Sequence, residues 1–400
     1  MANHLEHSLG GTNLEHARSH NRRAVLEVVR RAGVISRADI ARRTSLTLQT
    51  ISNIVLELQE SGLLSAGATV RNGRGQPSIP FSINPKGGWT IGIHIARHAV
   101  FGVLADLTGQ PVAMLERSEQ PDGPSEAAPI VEDIIATLQS EAGVSDQLML
   151  GVGVALPTRF DLGPISTAGP TGLPGWNDAD ARAAFEKRLG VPLLIENDAV
   201  AAAIGERLYG AAKNIENFVL LFLDEGLGAG LFTNGQVFKG AFSNAGEIGH
   251  MIVVPDGRDC PCGNKGCLER YVSLRAAYEC VSSTPDDETP ERINALAASR
   301  PEMLSPWFKE AGLRLASATN ILESVLDPET IIIGGLASAE IVQKLIDAAN
   351  PLPVSAGARP GRIVPRLIAG SAGPYSTAFG AAALPVFDEM NPRFDVLLKG

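Results

Sequence analysis

The sequence has no apolar run of the ~18–20 residues that are needed to cross a bilayer. Its first twenty residues also lack the basic-then-apolar layout of a signal peptide, so we expect a cytoplasmic protein. Collagen-like and coiled-coil patterns are absent, and with 44% hydrophobic and 20% charged residues the chain is too apolar to be disordered. Basic residues are outnumbered by acidic ones, 34 to 44, which gives a net charge of −10. This negative balance argues against a nucleic-acid partner, because nucleic acids are bound through Lys and Arg.

The charge is unevenly distributed along the chain. Residues 1–85 contain ten Arg, no Lys and six acidic residues, a net charge of +4, and residues 86–400 carry −14. This asymmetry is typical of a nucleic-acid-binding module joined to an acidic domain, although chance clustering on solvated helix faces would give the same charges. The length of 400 residues predicts two or three domains, since single cores stop growing at ~250–300 residues.

Three helices are predicted in the basic segment. The first covers residues 15–32, the second begins after an N-cap at Ser36, and the third covers residues 47–62. Two short helices joined by a tight turn indicate a helix-turn-helix, whose second helix lies in the major groove; a generic helical bundle is the alternative. The start of that helix carries short side chains that can hydrogen-bond to base edges or phosphates. They are Thr47, Gln49, Thr50, Ser52 and Asn53.

A hairpin is predicted after the third helix, because Asn72-Gly73 is a strong turn signal between two strand-like runs. Arg71 and Arg74 at its tip can enter the electronegative minor groove, so we interpret the hairpin as a wing. We therefore predict a disordered tail over residues 1–14 and a winged helix-turn-helix DNA-binding domain over residues 15–84. A scaffold that uses this domain for protein contacts is disfavoured by the arginines.

From residue 86 onward, buried strands alternate with helices, which is the pattern of an α/β fold. The strand pair at 90–106 is repeated approximately at 217–235, so we predict two similar halves within one domain over residues 85–400. Such duplication resembles the actin-like ATPase and sugar kinase fold, in which the ligand lies between two lobes.

One His and three Cys fall within eighteen residues: His250, Cys260, Cys262 and Cys267. This set matches tetrahedral structural zinc, and dense thiols in a cytosolic protein bind metal more often than they form disulfides. Reduced, buried cysteines in a Gly-rich turn are the alternative. Cys280, in a separate predicted helix, is expected to be a small core residue.

These residues resemble a known family. GEIGHMIV followed by CPCGNKGCLER is similar to the signature of the ROK family, which holds bacterial transcriptional repressors, open reading frames and sugar kinases. The resemblance extends over nearly the whole chain and includes IENDAVAAAIGE at 195–206 and TIIIGGLAS at 330–338. It implies a two-lobed actin-like domain with a zinc loop, and the winged helix is similar to the extension found on the repressor branch.

The resemblance also implies a sugar site. In relatives, the residues at five positions hold sugar hydroxyls, and here these are Asn197, Asp198, Glu247, His250 and Glu269. One nitrogen of His250 would bind zinc and the other a hydroxyl. In the kinases the residue matching Asp198 is the general base.

The phosphate loops of the kinases are not matched. The first has the form D-x-G-x-T, and here residues 94–98 read HIARH; the second is usually G-T-G-x-G, and here residues 224–228 read DEGLG. A magnesium-holding acid is lost from the first, and two carboxylates in the second would repel a polyanion. We thus predict a non-catalytic repressor of carbohydrate genes that senses a sugar or sugar phosphate and binds palindromic DNA as a homodimer or tetramer. An ATP-dependent sugar kinase with a fused DNA-binding domain is the alternative.

Overall fold

The computed structural model describes residues 14–70, 78–145, 148–157, 178–190, 193–282, 284, 289–356 and 361–392. Among these residues, no helix is both long and apolar enough to span a membrane. Arg71 and Arg74 of the predicted wing, and residues 1–13 of the predicted tail, lie outside the described residues.

The N-terminal part is a three-helix unit with a small sheet. Its elements are α1 (Leu14–Ala32), β1 (Ile35–Ser36), α2 (Arg37–Thr44), α3 (Leu48–Glu60), β2 (Leu64–Ala66) and β3 (Pro80–Ile83), with antiparallel strands in the order β1-β3-β2. The predicted cap is present, because the Ser36 hydroxyl accepts from the backbone N–H of Asp39 at 3.2 Å. Ile40, Ile51 and Val55 are fully buried. The apolar spacing of the helices therefore builds the core of a helix-turn-helix, and a three-residue 3₁₀ turn (Pro85–Gly87) leads to the next domain.

The remainder has two lobes, each built on a five-stranded sheet. The first lobe has β4 (Trp89–Ile95), β5 (Val100–Asp106), β6 (Pro111–Arg117), α4 (Pro124–Ala142), β7 (Met149–Leu156), α5 (Asp178–Leu189) and β8 (Leu193–Asn197). The second has β9 (Phe218–Leu223), β10 (Leu227–Thr233), β11 (Gln236–Val237), α7 (Glu269–Val272), α8 (Leu274–Val281), α9 (Pro290–Ser299), α10 (Ser305–Leu326), β12 (Thr330–Gly335), α11 (Ala339–Ala349) and β13 (Leu367–Ala372).

The two sheets have the same topology. Their orders are β6-β5-β4-β7-β8 and β11-β10-β9-β12-β13, each with three antiparallel strands followed by two parallel ones. The prediction of two similar halves is confirmed, because equivalent strands occupy equivalent places. The tips of the β4–β5 and β9–β10 hairpins therefore occupy equivalent positions in the two lobes.

Two helices lie between the sheets: α6 (Asp198–Leu208) and α12 (Ser376–Met390). They approach so closely that a Cβ at Gly205 of α6 would lie 2.9 Å from the Cα of Gly380 in α12, and a Cβ at Gly230 of β10 would meet Ala203 of α6. These small residues permit backbone-to-backbone packing, which leaves little room for independent movement.

The DNA-binding unit packs on the lobes through a continuous apolar cluster. The cluster joins Val25, Leu26 and Val29 of α1 with Ala201 and Leu208 of α6. One expectation about the core is wrong: Cys280 is exposed, because α8 turns this position outward while Ala276, Ala277 and Tyr278 are buried.

Candidate functional site

The four predicted metal ligands are brought together by one loop. Donor atoms of His250, Cys260, Cys262 and Cys267 all lie within 4.8 Å of one another. The loop is pinned by backbone pairing, since Cys260 N–H donates to Asn264 at 2.9 Å and Gly266 N–H donates to Arg258 at 2.8 Å. Three thiols and one imidazole are a donor set that fits a soft or borderline metal ion.

His250 lies at the end of a 3₁₀ turn (Glu247–His250) and has carboxylates at both ring nitrogens. Its Nδ1 is 3.6 Å from Cys260 Sγ and 3.4 Å from Oε1 of Glu269, whereas its Nε2 is 3.4 Å from Oε2 of Glu247. The Nδ1 atom thus faces the thiols, and the Nε2 atom points away from them. Glu269 also contacts the metal cluster directly, because its Oε1 accepts a hydrogen bond from the thiol of Cys260 at 3.0 Å.

Asn197 and Asp198 are held at the start of α6. Asn197 is the N-cap, and its side-chain oxygen accepts from the N–H groups of Ala199 and Val200 at 3.0 and 3.3 Å. Asp198 is buried, and this burial, with a smaller contribution from the charge of Glu247, raises the pKa of its carboxyl to about 7. The carboxyls of Asp198 and Glu247 are therefore close enough for their charges to interact. A carboxyl with a pKa near neutrality can both donate and accept hydrogen bonds, as a sugar hydroxyl requires.

Further carboxylates lie beside Asp198. Burial raises the pKa of Asp224 well above its usual value, and the charges of Glu225 and Asp198 add to the shift. The carboxyls of Asp224 and Asp198 therefore hold their protons more readily than usual, because burial and the neighbouring carboxylates oppose their ionisation. Asp224 precedes the β9–β10 turn, and its carbonyl accepts from the N–H of Leu274 at 2.8 Å.

The two hairpin tips are joined by Glu225. Its carboxylate accepts from Arg97 Nη1 at 3.0 Å and lies 2.6 Å from His98 Nε2. Arg97 and His98 are at the tip of the β4–β5 hairpin, where the N–H of Ala96 donates to Ala99 at 3.0 Å. Residues 94–98 of the first lobe and 224–228 of the second thus contact each other.

The predicted DNA-reading side chains lie on one exposed helix start. Thr47 caps α3 by accepting from the N–H of Thr50 at 3.2 Å, and Gln49 donates to Asn53 at 3.1 Å. Ser52 donates to the carbonyl of Leu48 at 2.8 Å. Gln49 and Asn53 are exposed, so their mutual hydrogen bond can be exchanged for base edges without unfolding the helix.

Sequence reasoning missed a buried ionic cluster between the DNA-binding unit and the lobes. Glu27 of α1 pairs with Arg207 of α6 at 2.7 Å, and it also pairs with Arg30 and Arg31 of its own helix. Glu27 and Arg207 are 180 residues apart, so their contact leaves no periodic pattern in the sequence. Nothing in the sequence singled out Glu27, because α1 carries several other charged residues.

Comparisons with known proteins match both parts of the chain. A model of the ROK family matches residues 90–386, and a model of winged helix-turn-helix DNA-binding domains matches residues 18–65. Among curated proteins, the chain is 29% identical over 314 residues to a xylose repressor of Bacillus subtilis strain 168, covering 78% of this chain and 81% of that one. It is 27% identical over 340 residues to an N-acetylglucosamine repressor of Escherichia coli O157:H7, covering 81% and 82%.

Solved structures show the same fold. A ROK family transcriptional regulator described as a homologue of the E. coli MLC protein superposes with a TM-score of 0.70 at 24% identity, covering 96% of this chain and 100% of that one. A ROK family glucokinase from Streptomyces griseus, in complex with glucose and AMPPNP, superposes with a TM-score of 0.60 at 23% identity, covering 74% and 99%. The chain belongs to the ROK family.

Proposed function

We propose that this ROK family chain is a sugar-responsive transcriptional repressor of carbohydrate uptake or catabolism genes. The main support for the proposal is that one chain contains both a winged helix-turn-helix domain and a ROK domain. Repressors named for xylose and for N-acetylglucosamine align with about four fifths of it. A regulator that binds DNA acts where the DNA is, which in a bacterium is the cytoplasm.

The effector is a sugar or sugar phosphate held between the lobes. Asn197, Asp198, Glu247 and Glu269 supply carboxylate and amide groups, and Nε2 of His250 faces the same side as Glu247. Such a set saturates sugar hydroxyls, which donate and accept hydrogen bonds together. The raised pKa values of Asp198 and Asp224 allow these carboxyls to donate hydrogen bonds to sugar oxygens when they are protonated.

Zn²⁺ is the metal that fits the loop, bound by His250, Cys260, Cys262 and Cys267. When bound, the ion supplies a structural crosslink without redox chemistry. The four residues fix the loop, and His250 holds its other nitrogen towards the cleft, so the fold of the loop and the position of a sugar-facing imidazole are determined together.

The cleft does not transfer phosphate in this proposal. By resemblance Asp198 matches the general base of the kinases, but the two segments that would have to bind a triphosphate depart from the kinase pattern and pair with each other through Glu225, Arg97 and His98. Phosphoryl transfer depends on positioning and neutralising that polyanion. ATP consumption that requires a sugar and disappears in Asp198→Asn would support the kinase alternative and refute this part of the proposal.

One helix-turn-helix is found in the described part of the chain, so we expect a homodimer or a tetramer to bind a palindromic operator with half-sites one or two helical turns apart. The test begins with an operator selected by the full-length protein from a random DNA pool. Fluorescence anisotropy then measures operator affinity with and without D-xylose, D-glucose, N-acetyl-D-glucosamine and N-acetyl-D-glucosamine 6-phosphate. We expect one of these to change the affinity; failure to select any DNA sequence would refute the repressor assignment.

A further inference from the structure

Helix α6 begins at the proposed sugar site and ends at the DNA-binding unit. Asn197 caps it, Asp198 is its first residue and Leu208 its last. The carbonyl of Leu208 accepts from Arg30 Nη1 of α1 at 2.5 Å. A helix of 11 residues is about 16 Å long, so the two sites lie at opposite ends of a single short, stiff element.

The far end of α6 is fastened by buried charges. The side chains of Arg207 and Glu27 are 2% and 10% exposed, and they meet at 2.7 Å. Burial alone would raise the pKa of Glu27, but hydrogen bonds and charges from Arg30, Arg207 and Arg31 lower it to about 2. The cluster is therefore ionised at neutral pH. Because an unpaired buried charge is costly, we expect the Arg207–Glu27 pair to be either fully formed or fully broken, and not partly separated.

α6 follows the lobes because its close packing against them leaves no room for independent movement. Gly205 of α6 meets Gly380 of α12, and Ala199 and Ala203 of α6 meet glycines of β10. α12 in turn packs on the first sheet, where a Cβ at Gly92 or Gly153 would collide with its backbone. A change in lobe closure must therefore move α6 as a body.

On the other side, α1 determines the position of the recognition helix. Glu57 of α3 accepts from Arg18 of α1 at 2.7 Å, and it lies 3.5 Å from Arg22. Val25, Leu26, Ile51 and Val55 belong to one buried cluster. A displacement of α1 thus carries α3 with it.

We propose that α6 is the coupling element between the two sites, and that the Arg207–Glu27 pair is its connection to the DNA-binding domain. Sugar binding at Asn197 and Asp198 changes the closure of the lobes and thereby moves α6, and the ion pair passes the movement to α1 and hence to α3. This inference rests on the proposed function. The coupling requires only that sugar and DNA favour different positions of α6.

The chain offers a matched control for this connection. Arg22 of α1 also forms an ion pair with Glu389 of α12, which crosses the same domain boundary without involving α6. Glu27→Gln and Glu389→Gln each remove one carboxylate charge from that boundary. Only the first acts on the end of α6.

The experiment measures a coupling factor, the ratio of operator affinities without and with saturating sugar, in the full-length protein for the four sugars named above. A factor of about 5–150 is typical of such coupling. For Glu27→Gln we expect a factor below about threefold, with sugar affinity by calorimetry and sugar-free operator affinity both within about threefold of wild type. Glu389→Gln keeps the wild-type factor. Full coupling in Glu27→Gln, or equal losses in both variants, would overturn the proposal.

A second measurement does not depend on the variants folding. Hydrogen exchange of the wild-type protein is followed with and without a sugar that changes operator affinity. We expect altered protection at the end of α6 and in residues 24–32 of α1; an unchanged α1 overturns the inference and leaves the proposed function standing. If none of the four sugars changes wild-type operator affinity, the effector assignment fails, and the coupling inference fails with it.

Discussion

The Nη1 atom of Arg97 lies 3.0 Å from Oε2 of Glu225, and this contact joins the hairpin tips of the two lobes. Glu225 is buried, with its side chain 5% exposed, whereas the Arg97 side chain is 42% exposed. The carboxylate therefore depends on its partners for solvation far more than the guanidinium does. His98 contributes the second contact at 2.6 Å.

Glu225→Gln should lower the stability of the protein. Hydrogen bonds that involve charged groups contribute about 1.5–3 kcal/mol, and solvent screening at Arg97 reduces this, so we expect a loss of about 1–2 kcal/mol. Thermal unfolding measures the change. Glu186→Gln is the control, because the Arg182–Glu186 pair is solvent-exposed on both sides and should contribute under about 0.5 kcal/mol. Equal effects of the two variants would contradict the assignment of Glu225 as a lobe-joining residue.

Asp198 should make stability fall as pH rises. Its folded-state pKa of about 7 lies above its value in an unfolded chain, near 3.9. The folded state therefore holds the proton more tightly, and the contribution is fully present below about pH 4 and is lost as the pH rises through about 7. Each pKa unit corresponds to 1.36 kcal/mol, so the change amounts to a few kcal/mol at most.

Asp198→Asn tests this sign. The variant should be more stable than wild type at pH 8 and nearly equal at pH 4, as measured by urea unfolding at both pH values, while sugar affinity falls. A variant that is less stable than wild type at pH 8 would show that the ionised carboxylate is stabilising.

Cys262→Ser should release the metal. It removes one of four donor groups that lie within 4.8 Å, and zinc sites need all of their protein ligands to remain closed. Mass spectrometry of the purified protein should find about one zinc per wild-type chain and far less in the variant. Cys280→Ser is the control, because Cys280 is exposed and outside the cluster. Wild-type metal content in Cys262→Ser would refute the ligand assignment.

Asn53→Ala should weaken operator binding. The residue is on the exposed start of α3 and hydrogen-bonds to Gln49 at 3.1 Å, so it is available to a base edge. A bidentate base contact contributes about 1–3 kcal/mol of discrimination, and we expect a loss of about 5- to 150-fold in anisotropy titrations. Glu60→Gln, at the other end of the helix, should change affinity little. A loss that is equal on operator and unrelated DNA would indicate a phosphate contact instead of base readout.

Local pattern predicted much of the fold. Apolar spacing and the cap at Ser36 predicted the three N-terminal helices, because those features are determined within a few residues. The approximate repeat of strand pairs predicted two similar lobes. Cys280 was misassigned because a helix of eight residues gives too few turns to tell a buried face from an exposed one.

The sequence by itself determined the chemistry: a basic DNA-reading segment, an acidic body, one His and three Cys at metal-binding spacing, and the side chains of residues 94–98 and 224–228. Only the tertiary structure decided how these parts are joined. It placed Glu225 between Arg97 and His98, and Glu27 beside Arg207, through pairs that are more than a hundred residues apart. Periodicity and spacing report interactions within one element, whereas contacts between elements depend on how the whole chain packs.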